Sequence, residues 1–339
     1  MPDGMSRALP VEYQQKLDLR QTEVAIKQLK DFFEVRLAKA LNLTRVSAPL
    51  FVRPETGLND NLNGIERPVS FGIKDLGEAR CEIVQSLAKW KRQALKRYGF
   101  AIGEGLYTDM NAIRPDETLD NLHSLYVDQW DWELIMPQDA RHPGTLRDIV
   151  RRIYGVFLET EDYIRGLYPR LSKKLPADIS LATTQEMEDR WPDLTPRQRE
   201  DEIAKEKGAV FVAQIGSILR SGIRHDGRAP DYDDWMLNGD IIFWCPLLGQ
   251  AVEVSSMGIR VDAQTLDRQL TLAGCDERRA LPFHRALLAG QLPQTAGGGI
   301  GQSRMCMFFL DKAHVGEVQS SVWPDEVLQV CEAAGVVLL

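Results

Sequence analysis

Leu106-Tyr107-Thr108-Asp109-Met110-Asn111-Ala112-Ile113-Arg114, a polar break over Pro115 to Asn121, and His123-Ser124-Leu125-Tyr126-Val127-Asp128-Gln129-Trp130-Asp131-Trp132-Glu133-Leu134-Ile135 are two long runs of β-formers. The break between them is polar and loop-like, so the runs are expected to pair as a long antiparallel hairpin with an exposed loop. Period-two alternation sets Gln129, Asp131 and Glu133 on one face of the return strand and sends Trp130 and Trp132 into the core. A second hairpin is expected from Asp240 to Cys245 and Ala251 to Arg260, joined through Pro246 and Gly249. Hairpins in place of regular βαβ units predict an α/β chain of α+β type, with a largely antiparallel sheet flanked by helices.

Outward from the hairpins, Leu29, Phe32, Phe33, Leu37, Ala40 and Leu41 recur at helical spacing, which predicts a helix over Thr22 to Leu41 that stops at Asn42. Val46 to Val52 reads as a strand whose Pro49 confines it to an edge or an interface. Cys81 to Val84 is a short strand, and Ser86 caps a helix that runs to Tyr98 and ends at Gly99. Its basic residues Lys89, Lys91, Arg92, Lys96 and Arg97 are expected mostly on a solvated face, with a lysine near the helix start free to reach a ligand. Helices from Thr145 to Tyr168 and from Pro196 to a stop before Gly208, with strands at Ile179 to Thr183 and Ala209 to Ile215, read as peripheral cover. Short helices follow Asp262, Leu281 and Pro324, and another starts near Gln302.

At roughly 150 residues per domain, 339 residues make two units or one large one, and 44% hydrophobic with 27% charged residues excludes disorder. Lys plus Arg number 41 against 49 Asp plus Glu, and the net charge of −8 does not favour nucleic acid. The longest apolar runs, such as Ile241 to Trp244, fall short of the ~20 residues of a membrane span. Five widely spaced cysteines without a CxxC pair, and no leader pattern in the opening residues, point to free thiols in a cytoplasmic protein.

The sharpest local signal is Gly297-Gly298-Gly299-Ile300-Gly301-Gln302-Ser303-Arg304. It matches neither a P-loop nor the dinucleotide fingerprint, and a glycine run alone is usually a flexible loop. Arg304 just inside the following helix favours anion binding, since a guanidinium can hold a phosphate bidentately. Asp240, with Glu253, Ser255 and Ser256 on its hairpin partner, suggests paired acids that either hold Mg²⁺ or pair with arginines. The histidines show no zinc spacing, and there is no GxSxG elbow.

A helix and strand ending at Pro49, an arginine-bearing hairpin and a glycine-rich strand before Arg304 resemble, in that order, the three motifs of class II aminoacyl-tRNA synthetase catalytic domains. More closely, Gly57-Leu58-Asn59-Asp60-Asn61-Leu62, Ser86-Leu87-Ala88-Lys89-Trp90-Lys91-Arg92, Gly103-Glu104-Gly105-Leu106-Tyr107-Thr108, Tyr126 to Glu133, Arg228-Ala229-Pro230-Asp231-Tyr232-Asp233-Asp234-Trp235, Ser255-Ser256-Met257-Gly258-Ile259-Arg260 and the glycine run resemble the ammonia-dependent asparagine synthetase family, the aspartate–ammonia ligases. The likeness spans about Thr22 to Trp323.

The resemblance implies a single catalytic domain over 1–339 with helical cover inserted around 145–208, and a homodimer built through the first helix and its following strand. It implies ATP-driven activation of L-aspartate to β-aspartyl-AMP, then displacement of AMP by ammonia. Arg114 would contact the α-phosphate, Arg304 the terminal phosphates, and Gly299 and Gly301 the nucleotide, while Asp240, Glu253 and Ser256 would carry Mg²⁺. Ser86, Lys91, Asp128, Gln129, Asp233, Ser255 and Arg260 would surround aspartate, Asp233 meeting its ammonium and Lys91 or Arg260 a carboxylate. Asp60 would serve the ammonia step, and the loop Pro54 to Gly64 would close over the adenylate.

Residue 2 is Pro and the first cysteine is Cys81, so free ammonia rather than glutamine is the expected nitrogen donor. An aspartyl- or asparaginyl-tRNA synthetase relative is the alternative, weakened by a leader of only about twenty residues, too short for an anticodon-binding OB-fold. A non-catalytic paralogue ranks last because Arg114, Arg304, Asp240 and Glu253 are all present.

Overall fold

Asp18 starts the first helix, α1 (Leu19–Leu41), through a capping box with Gln21, and Asn42 ends it in the left-handed region at φ 56°. The computed structural model describes residues 9–10, 13–60, 62 and 66–339. After α1 come β1 (Leu43–Arg45), β2 (Phe51–Val52), β3 (Ser70–Ile73), β4 (Ala79–Ile83), α2 (Ala88–Tyr98), β5 (Gly105–Ile113), β6 (Tyr126–Ile135) and α3 (Pro143–Leu167). The chain continues through β7 (Ser180–Thr183), α4 (Thr184–Arg190), α5 (Pro196–Lys207), β8 (Ala209–Ala213), β9 (Asp233–Cys245) and β10 (Gln250–Arg260). It ends with α6 (Ala263–Leu272), α7 (Pro282–Leu288), β11 (Thr295–Gly301), α8 (Gln302–Phe309) and α9 (Asp325–Ala333).

Eight strands form one sheet in the order β1-β5-β6-β11-β10-β9-β8-β7. The outermost pairs, β1 with β5 and β7 with β8, are parallel, and every pairing between them is antiparallel. Both expected hairpins are present, and they do not lie side by side: β11 is inserted between them. One face of the sheet is the core, where Phe33 of α1 meets Trp130 at 4.9 Å and Phe157 of α3 at 5.0 Å between ring centroids. Trp132, Phe243, Met257 and Ile300 complete that layer.

Three local expectations are corrected. The run Val46 to Val52 is not one strand: β1 lies at the edge of the main sheet and β2 in a small sheet of order β2-β4-β3, with Pro49, which has no amide to donate, in the connection between them. The segments read as peripheral cover supply β7 and β8 to the main sheet, where Val210, Phe211 and Val212 are buried, while α3 covers it. The hairpin strand expected from Asp240 begins seven residues earlier at Asp233, because Asn238 to Asp240 already pair with β10 and, past an irregularity, Asp233 pairs with Arg260.

Candidate active site

The charged face of β6 is set by its register: Asp131 lies opposite Gly299, Gly299 opposite Ser256, and Ser256 opposite Asp240. Glu133 lies opposite Gly297 in the next row. Above these rows is a cavity of about 400 Å³. Asp60, Ser86, Lys91, Arg114, Asp128 and Gln129 line it. So do Asp233, Glu253, Ser255, Ser256, Arg260 and Arg304, with Gly299 and Gly301 beneath them. Asp240 alone of the expected residues does not border the cavity.

The basic helix is not mainly solvated at its start, since Lys89, Lys91 and Arg92 of α2 are all buried and only Lys96 and Arg97 face water. Lys91 Nζ meets Asp131 Oδ2 at 2.9 Å and donates to the carbonyls of Trp132 at 3.0 Å and Gly298 at 2.9 Å. Burial pushes its pKa down, against the pull of Asp131 and Glu133. Arg92 is pinned by donation to the Val261 and Pro293 carbonyls.

Glu133 is fully buried, and Arg260 meets it with Nε at 2.9 Å and Nη2 at 2.7 Å while Thr295 donates at 2.7 Å. Burial raises the pKa of Glu133, but Arg260 outweighs it, so the carboxylate stays ionised below its ordinary range. The remaining arm of Arg260 pairs with Asp233. Asp128 borders the cavity, yet its oxygens already accept from Lys30 at 3.0 Å, the Ser303 amide at 3.0 Å and the Ser303 hydroxyl at 2.8 Å, which ties α1 and α8 to β6. Ser255 donates to the Gly299 carbonyl, and Ser86 accepts from the Ala88 amide at 3.1 Å, one residue short of the helix cap it was expected to form.

The glycine run is a central strand and not a flexible loop. Its glycines make room first for β6: a Cβ on Gly297 would lie 1.9 Å from Glu133 Oε2, and one on Gly299 2.4 Å from Gln129 Oε1. Arg304 then leaves α8 toward the cavity, held by the Glu253 and Leu122 carbonyls, with Glu253 Oε2 at 3.6 Å. Arg114 lies across the same cavity, its Nη2 on the Gln85 carbonyl at 3.4 Å. Buried polar atoms without a hydrogen-bond partner gather here, including Arg114 Nε, Asp60 Oδ2, Asp131 Oδ1 and Arg228 Nε. Such atoms are costly in a packed interior, and their concentration around one cavity marks a surface shaped for a polar ligand.

Asp240 is paired with Arg228 at 2.7 Å, and Arg228 also donates to Ser256. Burial and the neighbouring Glu253 push the Asp240 carboxyl up to about 7 against the opposing charge of Arg228. Among the described residues no cluster of three or more acidic, histidine or cysteine side chains is poised to hold a metal ion. Two carboxylates, one buried and one at the rim, still suit Mg²⁺, which is commonly held by one or two carboxylates plus substrate phosphates.

Arg228 and Tyr232 were not singled out as site residues from sequence, although both border the cavity. They sit in a loop, where no periodicity marks which side chains face inward. Asp131 stood on the charged face of β6, but its pairing with Lys91 depends on how α2 crosses the sheet. Of the proposed closing loop, Asn59 is fastened to Gln85 and Glu82. Residues 61, 63 and 64 of that loop, and residue 2, lie outside the described residues.

The family model described as aspartate-ammonia ligase matches residues 20–335. The chain is 63% identical over 330 residues to the aspartate–ammonia ligase of Ruminiclostridium cellulolyticum, covering 97% of this chain and 98% of that one. It is 56% identical over 336 residues to that of Lactobacillus johnsonii, covering 99% and 100%. Among solved structures, asparaginyl-tRNA synthetase from Pyrococcus horikoshii complexed with asparaginyl-adenylate superposes with a TM-score of 0.64 at 14% identity, over 89% of this chain and 70% of that one. Aspartyl-tRNA synthetase from Entamoeba histolytica gives 0.60 at 16% identity, over 89% and 59%. The expected class II synthetase fold is therefore present, and by sequence the chain belongs to the aspartate–ammonia ligase family.

Proposed function

We propose that this protein condenses L-aspartate with ammonia to give L-asparagine, consuming ATP and releasing AMP and pyrophosphate through β-aspartyl-AMP. The observation that carries the reading is the convergence of Arg114 and Arg304, distant in sequence, on one cavity whose floor also holds Lys91, Asp233 and Arg260. ATP fits between the two guanidinium groups, with Arg114 at the α-phosphate, where charge builds up as the aspartate side-chain carboxylate attacks in line. Arg304 takes the departing pyrophosphate. Glu253, with Asp240 once Arg228 yields it, would hold Mg²⁺, which when bound neutralises the phosphate oxygens.

For the amino acid, the Asp233–Arg260 pair is the receptor: Asp233 meets the ammonium group, and Arg260, held by Glu133 along its other edge, turns the Nη1 arm it lends Asp233 to a carboxylate. Lys91 has its donors engaged by Asp131 and two carbonyls, and it fixes α2 against the cavity floor. Gln129 and Ser255 orient the reacting carboxylate, and Ser86 and Asp128 shape the wall. Asp60 serves the second half-reaction at the far side. The same reading makes the active species a cytoplasmic homodimer joined through α1, which exposes Leu19, Val24 and Val35; no helix of the described residues is long and apolar enough to cross a membrane.

The test is product analysis of the purified protein with ATP, Mg²⁺, aspartate and ammonium. Equal amounts of asparagine, AMP and pyrophosphate are expected, with no added tRNA. Formation of ADP and phosphate, or amino acid recovered only on tRNA, overturns the reading.

A further inference from the structure

We propose that a buried charge cluster behind the cavity, Lys89, Asp231, Arg278 and His284, positions Asp60 to take a proton from ammonium in the amidation step. The inference rests on the amidation reading given above. Asp231 is fully buried, and its Oδ2 receives Lys89 Nζ at 3.2 Å, Arg278 Nη1 at 3.2 Å and His284 Nε2 at 3.0 Å. Those partners come from α2, from the short turn Asp276–Ala280 and from α7, so one carboxylate oxygen ties three elements together.

Asp60 belongs to the same packed unit. Its loop is seated on α7: Gly57 stands at φ 71°, and a Cβ there would lie 2.8 Å from Leu281 Cβ and 3.3 Å from His284 Nδ1. Asp60 is itself buried and borders the cavity, Oδ1 accepting from the Leu62 amide while Oδ2 has no hydrogen-bond partner. The ionisable groups that face it are Lys89 from α2, Asp231 and Tyr232 from the segment before β9, and Arg278 from the turn. Burial raises the Asp60 pKa, Lys89 opposes that rise and Asp231 adds to it. Two cations against Asp231 and an ionised Asp60 balance in charge, whereas a protonated Asp60 leaves one cation in excess. Burial thus makes this carboxylate more basic than usual, and the cations of the cluster oppose its protonation at the cavity wall.

In the step this serves, ammonium gives one proton to Asp60 Oδ2, and the ammonia nitrogen bonds to the acyl carbon of β-aspartyl-AMP. The carbon–oxygen bond to AMP breaks with its electron pair going to AMP, and a second proton leaves nitrogen for water. Nothing in the aspartate activation step requires the cluster. Aspartate-dependent exchange of pyrophosphate into ATP therefore separates the two halves of the reaction.

The experiment measures that exchange, and the pH dependence of kcat/KM for ammonium, in wild type, Lys89→Met, Asp231→Asn and Lys89→Arg. Removing the cation moves the acidic limb to higher pH and, at pH values below that limb, lowers the ratio of asparagine formation to exchange about tenfold, as a one-unit shift of Asp60 gives. Asp231→Asn moves the limb the opposite way, and Lys89→Arg leaves it in place. If one of the two charge-removing variants does not fold, the direction seen in the other decides. An unmoved limb, a shift of the same sign in both, or exchange that falls in step with synthesis overturns the inference. Absence of exchange in wild type would instead overturn the underlying function.

Discussion

Arg114 leaves the end of β5 with one arm on a carbonyl and its Nε buried without a partner. A guanidinium in that state suits a bidentate anion, and in the proposed reaction it would meet a phosphate oxygen whose charge grows in the transition state. Arg114→Ala is expected to cost about 2 to 4 kcal/mol of transition-state stabilisation. Steady-state kcat/KM for aspartate and ATP checks this, with turnover close to wild type excluding the residue from the chemistry. Arg114 and Arg304 were legible in the sequence because each sits beside a strong local marker, a hairpin break and a glycine run. Lys91 was named through the family resemblance alone, and the burial of Lys89 and Arg92 was not legible, because a basic helix reads alike whether its charges meet water or buried acids. Arg228 was hidden for another reason: its partners Asp240 and Ser256 lie on two strands that only tertiary pairing brings beneath it.

At the scale of elements, β11 shows why glycine was needed where it stands. Between β6 and β10 it must pass beneath the Glu133–Arg260 pair, and a Cβ on Gly297 would lie 1.9 Å from Glu133 Oε2 and 2.5 Å from Arg260 Nη2. The added methyl in Gly297→Ala has to push apart a fully buried ion pair, which typically costs about 3 to 5 kcal/mol when it is broken. Urea unfolding should show that loss as a lower midpoint with an unchanged slope; stability within about 0.5 kcal/mol of wild type, the range of an unremarkable substitution, would mean that the pair relaxes freely. Helix limits were read accurately at Asn42, Gly99 and Asp262, since each cap is a contact within a few residues. The strand over Val46 to Val52 was misread because its two ends join different sheets, a separation that no local pattern records.

For the molecule as a whole, pH exposes how the tail is fastened. His314 is buried against Trp323 with ring centroids 4.6 Å apart, and its Nδ1 accepts from the Gly316 amide at 3.0 Å. Burial lowers its pKa from 6.5 to about 4. Between those values the unfolded chain binds the extra proton, so this residue's contribution is full above about 6.5 and is lost as pH falls toward 4. Asp240, held neutral up to about 7, has the opposite slope, so the sign is read from a difference. Wild type should lose stability relative to His314→Gln as pH drops across that window, measured by denaturant unfolding at each pH, and parallel curves would place the proton elsewhere. The sequence by itself determined the hairpins, most helix limits and the antiparallel sheet, because alternation, caps and glycine runs are short-range signals, and its resemblance to a known family supplied the identity of most cavity residues. Only the tertiary structure decided the insertion of β11 between the hairpins, the burial of the basic helix and the network behind Asp60, because each depends on contacts between segments far apart in the chain, where charge is compensated across elements and not along them.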